Sequence, residues 1–455
     1  MPLQAPSTPL PAPDADTITD MGALASLLGA AATPAGQTRI RCAVEAFPYR
    51  LSTQGPVGYD EAQGLLDFMA GMHAFGWRPM IEDNVTIGIR RGMSVLRLEE
   101  GMRLRICCTE ASTLHETAAD LDTILIEMNQ VGAAMDIGFL GMGFHPTAKP
   151  EDCADPPGAR FRVMEEALDQ PSLNDRRRSC ATQVELNYTD EADMVRKFRV
   201  TTALQPVATA LFANSPFVEG AITDSHSAHM ARRVQAETRE DALLARVFAD
   251  GFGYQSFAEW VAEQPMLYAQ REGRCVGAQG RSFRDQIPSG VTSGDWQAHL
   301  RETMAEVTLN NGIVMQGADA GPWEMVLALT AYWTGIVYDK TALESAWNLI
   351  RGWTPGDIAQ FRRDAPRLGF NAEIAGRSVG DIARDTLKIA MQGLRRRAHR
   401  LYGGADEGRY LQVLFDYVDS GQTRADSFRM QKDYLSDFDM KQVFDTCRLQ
   451  APDRL

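Results

Sequence analysis

The sequence contains no Cys-x-x-Cys pair, and its seven cysteines lie at irregular spacing among 455 residues. Zinc ribbons and thioredoxin-type redox sites need such closely spaced pairs, so neither motif is present. The number of cysteines is odd, and nothing in their spacing suggests a set of disulfides. This usage is typical of a protein whose thiols stay reduced, as they do in the cytoplasm.

Positive charge is also scarce. The chain has 46 lysines and arginines against 60 aspartates and glutamates, which gives a formal net charge of −14. A nucleic acid would be repelled by such a surface overall. The short basic runs at 176–178 and 395–397 are typical of solvated helix faces. We therefore expect no nucleic-acid partner.

Long apolar runs and a secretory signal are absent as well. No apolar stretch is long enough to span a bilayer. The first 16 residues are rich in Pro, Ala and Asp, without the basic start and apolar centre of a signal peptide. This composition predicts a disordered leader over 1–16. We expect a cytoplasmic protein with no membrane partner.

The remaining chain, 17–455, has the composition of a globular protein, with 44% hydrophobic and 23% charged residues. Strand patterns dominate over 38–110, where polar and apolar residues alternate, and helical periods dominate over 112–455. Pro206 lies inside one predicted long helix and is expected to kink it. The pattern predicts a single α+β domain in which helices cover a mainly antiparallel sheet.

The segment 84–108 reads as two or three antiparallel strands, and charged side chains share one face when 94–108 is read as a strand. Alternation along this strand puts Glu99, Arg103, Arg105 and Cys107 on the same side. Two arginines and a carboxylate are unusual in a core strand that is otherwise rich in Leu, Val and Ile. The pattern therefore indicates a polar side that faces a cavity.

Five segments, in this order, resemble the plant and proteobacterial type of glutamate–cysteine ligase, and the similarity extends over roughly residues 18 to 430: "TLHETAADLD", "DIGFLGMGFHP", "EADMVRKFRVTTALQPVATALFANSPF", "GADAGPW" and "WTPGDIAQFR". The resemblance implies a curved antiparallel sheet whose concave face holds substrates and Mg²⁺ among glutamates. It also implies a reaction that joins glutamate and cysteine at the expense of ATP. Because a carboxylate is phosphorylated in that reaction, the family needs hard cations and oxygen ligands.

This chain departs from the family pattern at the positions of those ligands. The family has two glutamates one residue apart where this chain has Ala43 and Glu45. On the next ligand strand Glu99 is kept, but Arg103 and Arg105 stand where the family has Gln and Glu. A later run of charged and aromatic family residues is replaced by Thr308, Asn310, Asn311, Gly312, Val314 and Gln316. Positive charges at a magnesium position repel the cation, so we expect standard ATP–Mg²⁺ ligation to be lost.

The remaining charged residues are the candidate site. Glu45 and Glu99 are the candidate catalytic carboxylates. Arg103, Arg105 and Arg178 are candidates for binding a small anionic amino-acid-like substrate, since arginine forks suit carboxylates. The alternative is that these arginines only pair with glutamates of the chain, namely Glu45, Glu99 and Glu185.

Histidines at altered positions suggest a metal site. His145 replaces a family Gln, and His229 aligns with a family Arg in "DSHSAHM", where it forms an H-x-x-H pair with His226. Two imidazoles and one carboxylate can hold Fe(II), with Mn or Zn as the next choices. The carboxylate would come from Glu45, Glu99 or Asp224. The alternative is an ordinary polar loop.

Three functions remain open at this level. The first is a diverged enzyme that acts on a small amino-acid or thiol metabolite without ATP chemistry, using a transition metal. The second is an ATP-dependent γ-glutamyl ligase with an altered substrate. The third is a non-catalytic binding or partner protein. The sequence gives no indication of the oligomeric state.

Overall fold

The computed structural model describes residues 17–236, 239–271, 274–400, 404–434 and 438–452. The leader predicted over 1–16 lies outside these residues. Within the described part, no helix has both the length and the apolar character needed to cross a membrane.

One antiparallel sheet organises the fold. The strands of the described chain are β1 (Ile40–Arg50), β2 (Arg78–Glu82), β3 (Val85–Arg91), β4 (Ser94–Leu98), β5 (Leu104–Cys107), β6 (Ile137–Leu140), β7 (Ala181–Leu186), β8 (Phe217–Val218), β9 (Ala221–Ile222), β10 (Tyr268–Arg271), β11 (Arg274–Gly277), β12 (Val307–Leu309), β13 (Ile313–Asp319), β14 (Glu373–Ile374) and β15 (Arg377–Ser378). The large sheet has the order β12-β13-β7-β1-β5-β4-β3-β2, and β6 pairs with the second half of β1. The remaining strands form three two-stranded hairpins.

The division into a sheet-rich and a helix-rich part is only partly reproduced. Four strands of the large sheet, β6, β7, β12 and β13, come from the segment that the sequence assigned to helices. They are three to seven residues long and almost continuously buried. Over three to seven residues a strand period is hard to distinguish from part of a helical period, so the sequence pattern did not separate these strands from helix segments.

Helices cover one face of this sheet. The described helices are α1 (Met21–Ala30), α2 (Leu65–Gly71), α3 (Leu114–Ala134), α4 (Ala159–Ala167), α5 (Gln170–Arg177), α6 (Glu191–Leu211), α7 (Ala228–Ala236), α8 (Glu240–Val247), α9 (Tyr254–Ala262), α10 (Phe283–Gln286), α11 (Ser293–Glu302), α12 (Trp323–Val337), α13 (Lys340–Ile350), α14 (Pro355–Leu368), α15 (Val379–Arg397), α16 (Gln412–Ser420), α17 (Arg424–Tyr434) and α18 (Met440–Thr446). α3, α6 and α12 pack against the central strands. The two long helices predicted from the sequence are α3 and α6, and α6 continues through Pro206 to Leu211.

The other face of the sheet is polar and partly open to solvent. We call it the polar face; it presents Arg41, Ala43, Glu45, Arg97, Arg105, Cys107, Gln183 and Glu185 from β1, β4, β5 and β7. α4, β10 and α11 share a small apolar cluster of their own that includes Met164, Tyr268 and Ala298. Arg160 of α4 reaches Glu99 next to the end of β4, so this cluster stands beside the polar face.

Candidate functional site

The segment 84–108 forms three antiparallel strands, β3, β4 and β5, as its pattern indicates, and the part over 94–108 that was read as a strand is a hairpin. β4 and β5 are joined by a turn at Glu100–Met102, in which Gly101 has φ 71°. Arg97 lies directly opposite Arg105, and the Glu99 N–H donates to the Arg103 carbonyl at 2.8 Å. Glu99, Arg103 and Arg105 therefore do lie on one side, but they do so because two strands pair and not because residues alternate along a single strand.

Glu45 lies in the middle of the polar face and is held by two arginines. Its Oε2 accepts from Arg103 Nη1 at 2.9 Å and from the Ala181 N–H at 3.1 Å. Its Oε1 lies 3.5 Å from Arg105 Nη1. Only 8% of Glu45 is exposed, so this carboxylate is satisfied inside the protein by charge-assisted contacts.

Arg103 and Arg105 differ in how many of their N–H donors already have an acceptor within the protein. Arg103 is buried and donates to Glu45, to Glu100 Oε2 at 3.1 Å and to the Ser179 carbonyl at 2.6 Å. Arg105 contacts Glu45 and the side-chain oxygen of Gln183, and 29% of its side chain is exposed. For Arg103 the contacts match the structural alternative, pairing with glutamates. Arg105 remains accessible to a ligand.

Glu99 and Glu100 belong to a second ionic cluster at the turn. Arg160 Nη2 donates to Glu99 Oε2 at 2.7 Å, and Arg176 Nη2 donates to Glu302 Oε2 at 2.8 Å beside Glu100. Burial disfavours the ionised form of Glu99, but Arg160 and Arg97 outweigh this effect and hold its pKa below the ordinary value. Burial also opposes ionisation of Glu100, and its arginine neighbours again depress the pKa. Both carboxylates are therefore ionised and already paired.

These contacts decide whether the residues fit the magnesium ions that the family resemblance implies. Glu45 and Glu99 point to guanidinium groups, and Ala43 offers no oxygen. Among the described residues, no group of three or more His, Cys, Asp or Glu side chains is placed to hold a metal ion. The residues present do not fit a cluster of magnesium ions, because an arginine fork occupies the oxygens that the cation would need.

Arg178 lies off the polar face. Its Nη1 donates to Glu219 Oε1 at 2.8 Å, its Nε donates to the Asn174 carbonyl at 3.2 Å, and its guanidinium lies over the Phe144 ring. The side chain is 5% exposed. Arg178 therefore does not face a cavity, and it does not pair with Glu45, Glu99 or Glu185, the glutamates named from the sequence. The structure does not place it beside Arg105.

His226 and His229 contact different carboxylates. His226 Nε2 lies 2.8 Å from Asp426 Oδ1, and its Nδ1 lies 2.7 Å from the Arg367 carbonyl. Both ring nitrogens therefore already have a protein partner, and a metal could bind His226 only by displacing one of these contacts. His229 Nδ1 instead lies 3.2 Å from Asp319 Oδ1. The H-x-x-H pair is therefore not assembled around one ion.

The other predicted metal ligands, His145 and Asp224, also lie apart from the histidine pair. His145 Nδ1 accepts from the Ala148 N–H at 2.9 Å, and its ring packs edge-on against Phe47. Burial lowers the pKa of His145 to about 4, so it is neutral, with its proton on Nε2. Asp224 is largely exposed and faces Arg367. The described arrangement does not form the predicted site, and Fe(II), Mn or Zn binding stays a prediction.

Asp319 was missed as a site residue although it lies in the "GADAGPW" motif. It is fully buried, and its carboxylate accepts from Ser227 Oγ at 2.7 Å, Ser215 Oγ at 2.7 Å and the Asn214 N–H at 2.8 Å, besides contacting His229. It is paired with Ala181, whose N–H contacts Glu45. The polar face is thus continuous with this network.

Six charged residues in and beside the ionic clusters were also missed: Arg97, Glu100, Arg160, Arg176, Arg301 and Glu302. Arg97 could have been found, because it precedes Glu99 by two residues and alternation puts it on the same face. Arg160 and Arg301 lie on α4 and α11, far along the chain from β4 and β5. No sequence signal connects them to that face.

The fold and the polar face define a protein built like the carboxylate–amine ligases of glutamate metabolism. The model of glutamate–cysteine ligase family 2 matches residues 43–443, and the chain belongs to this family. It is 34% identical to the chloroplastic glutamate–cysteine ligase of Brassica juncea over 402 residues, which are 86% of this chain and 76% of that protein. The chloroplastic enzyme of Arabidopsis thaliana is 33% identical, over 85% of this chain and 75% of that one.

A solved structure confirms the architecture. A glutamate–cysteine ligase from Francisella tularensis in complex with AMP superposes with a TM-score of 0.52, covering 90% of this chain and 87% of that one at 9% identity. This match confirms the α+β fold with an antiparallel sheet, and the family model with the plant relatives confirms the family resemblance. The plant relatives are named as chloroplastic proteins, and the cytoplasmic location expected for this chain stays a prediction.

Proposed function

We propose that the protein binds a small anionic amino-acid-like substrate on the polar face and acts on it without ATP–Mg²⁺ ligation. The observation that carries the proposal is the position of Glu45 between Arg103 and Arg105. In this arrangement Glu45 orients arginines and is not free to bind a cation. Arg105, with 29% of its side chain exposed, offers N–H donors to a substrate carboxylate.

A second candidate is supported by the comparisons. The relatives at 32–34% identity are all named glutamate–cysteine ligases, and similarity of that extent favours an ATP-dependent γ-glutamyl ligase with an altered substrate. Such an enzyme would have to neutralise the ATP triphosphate with arginines, at the positions where the family resemblance implies Mg²⁺ ions. Arginine is able to stabilise a transferring phosphoryl group, which gives this candidate a physical basis.

One assay distinguishes the two candidate functions. The purified full chain is incubated with ATP, Mg²⁺, glutamate and cysteine, then with other amino acids in place of cysteine, while ADP release is followed. We expect no ADP release that depends on both amino acids. Steady release that requires both would refute the first candidate and support the second. Saturable glutamate binding measured in parallel by calorimetry, without ATP, is the positive result that the first candidate requires.

A further inference from the structure

Arg97 and Arg105 face each other across β4 and β5. They are directly opposed in the hairpin, and 27% and 29% of their side chains are exposed. Like charges directly opposite in an antiparallel pair destabilise a sheet. In the described part of the chain, Arg97 Nε is buried without a hydrogen-bond partner, and the nearest carboxylate oxygen, of Glu99, is 3.9 Å away.

A third arginine approaches this pair from α11. Arg301 is largely exposed and directly precedes Glu302, which lies 3.4 Å from Arg160, and Arg160 in turn lies 2.7 Å from Glu99 beside the β4–β5 turn. Burial and the positive charges of Arg97 and Arg105 lower the pKa of Arg301, whereas Tyr268 and Glu302 raise it. Among the described residues Arg301 makes no hydrogen bond and no ion pair within 4 Å. Its neighbour Glu302 is directed to Arg176 at 2.8 Å and to Arg160 at 3.4 Å. Arg301 is thus a solvent-exposed positive charge beside Glu302, without a partner of its own among the described residues.

The cluster as a whole has more positive than negative charge. Its four glutamates are Glu45, Glu99, Glu100 and Glu302, and each accepts a close contact of 2.7–3.1 Å from one of three arginines, Arg103, Arg160 and Arg176. Arg97, Arg105 and Arg301 remain outside these close contacts. Six arginines against four glutamates leave two positive charges in excess, in a chain whose net charge is −14.

We propose that Arg97, Arg105 and Arg301 form an anion-binding subsite for a small molecule that bears a carboxylate or phosphate group. An anion between them would satisfy the free donors and offset the repulsion between like charges. The subsite deepens the proposed function, on which it rests for the place of the substrate, because it assigns the substrate an acidic group held on the β4–β5 side of the polar face. Binding can be measured without turnover.

The first experiment measures binding of inorganic phosphate and, separately, of glutarate to the full chain by titration calorimetry at low ionic strength. We expect at least one probe to bind, and Arg97→Gln and Arg301→Gln each to weaken its binding about tenfold or more. Arg351→Gln is the matched control, because it removes one exposed positive charge at the end of α13. It should leave the affinity unchanged. The probe that binds more tightly identifies phosphate or carboxylate as the preferred group.

The second readout is thermal stability without ligand. If Arg301 serves a ligand, Arg301→Gln removes an unbalanced charge and leaves the melting temperature unchanged or raises it. The proposal is overturned if neither probe binds the unaltered chain, if Arg97→Gln and Arg301→Gln bind as tightly as Arg351→Gln, or if Arg301→Gln lowers the melting temperature while its affinity is unchanged. Anion binding together with ADP release that requires both amino acids would leave the subsite standing and remove the proposed function. ADP release that requires both amino acids, without anion binding, would remove both.

Discussion

Glu45 and Arg105 stand directly opposite each other on β1 and β5, with Glu45 Oε1 3.5 Å from Arg105 Nη1. Because Glu45 is paired with arginine, its carboxylate is not available to a cation at the centre of the polar face. The Arg105 guanidinium stays accessible. In the function proposed above, an anion occupies the place that the family resemblance assigns to metal and triphosphate, and the following experiments examine the parts of this site separately.

Arg105→Ala should weaken binding of an anionic substrate by about 1.5–3 kcal/mol, the range of a hydrogen bond to a charged group. Because Glu45 keeps Arg103 and the Ala181 N–H as donors, we expect the fold to remain intact. Glutamate titration and a thermal melt on the same preparation check both parts. A large drop in melting temperature with unchanged affinity would show that Arg105 only balances Glu45.

Arg103→Met should destabilise the protein by about 3–5 kcal/mol, because it removes the closest arginine contact of two buried carboxylates, Glu45 and Glu100, whose other arginine neighbours lie 3.5 Å or more away. Adding Glu45→Gln in the same chain should recover part of this loss, since the uncompensated charge is removed. Denaturant unfolding of the single and double variants gives the coupling energy. Strictly additive effects would contradict the pairing described here.

Gly101→Ala should cost more stability than Gly92→Ala, although both glycines lie in hairpin turns with positive φ, 71° and 59°. A Cβ at Gly101 would lie 2.3 Å from the Arg177 carbonyl oxygen, whereas one at Gly92 meets open space. We expect a difference of about 1–3 kcal/mol in unfolding free energy. Equal costs would indicate that the turn between Glu99 and Arg103 shifts without penalty.

His145 should make stability depend on pH in a defined window. Burial lowers its pKa from 6.5 to about 4, so between these values the unfolded chain binds a proton that the folded chain does not. This contribution is complete above pH 6.5 and is lost as the pH falls toward 4, by about 3 kcal/mol in all. His145→Asn keeps an acceptor near Nδ1 but does not titrate. Its stability should therefore fall less than that of the unaltered chain over this window, and parallel curves would contradict the assignment.

Much of the fold followed from the residues themselves. Helices α3 and α6 have long apolar periods, and each begins at a capping residue, Thr113 or Asp190. The family resemblance supplied the sheet and its placement. The strands β7 and β13 were not found, because they are only six and seven residues long and lie among longer helical segments, and over so few residues a strand period is hard to distinguish from a helical one.

For the site, the sequence by itself determined which residue types stand on the ligand strands: Glu45 and Glu99 remain, and Arg103 and Arg105 replace neutral and acidic residues. It could not determine their partners, because an ion pair depends on distances across strands and between remote helices. Only the tertiary structure decided that Arg103 pairs with Glu45 and Glu100. It also decided that His226 and His229 contact different aspartates, and that the charges of Arg97 and Arg105 act on Arg301. Those contacts join positions up to about two hundred residues apart, a separation over which no local pattern carries information.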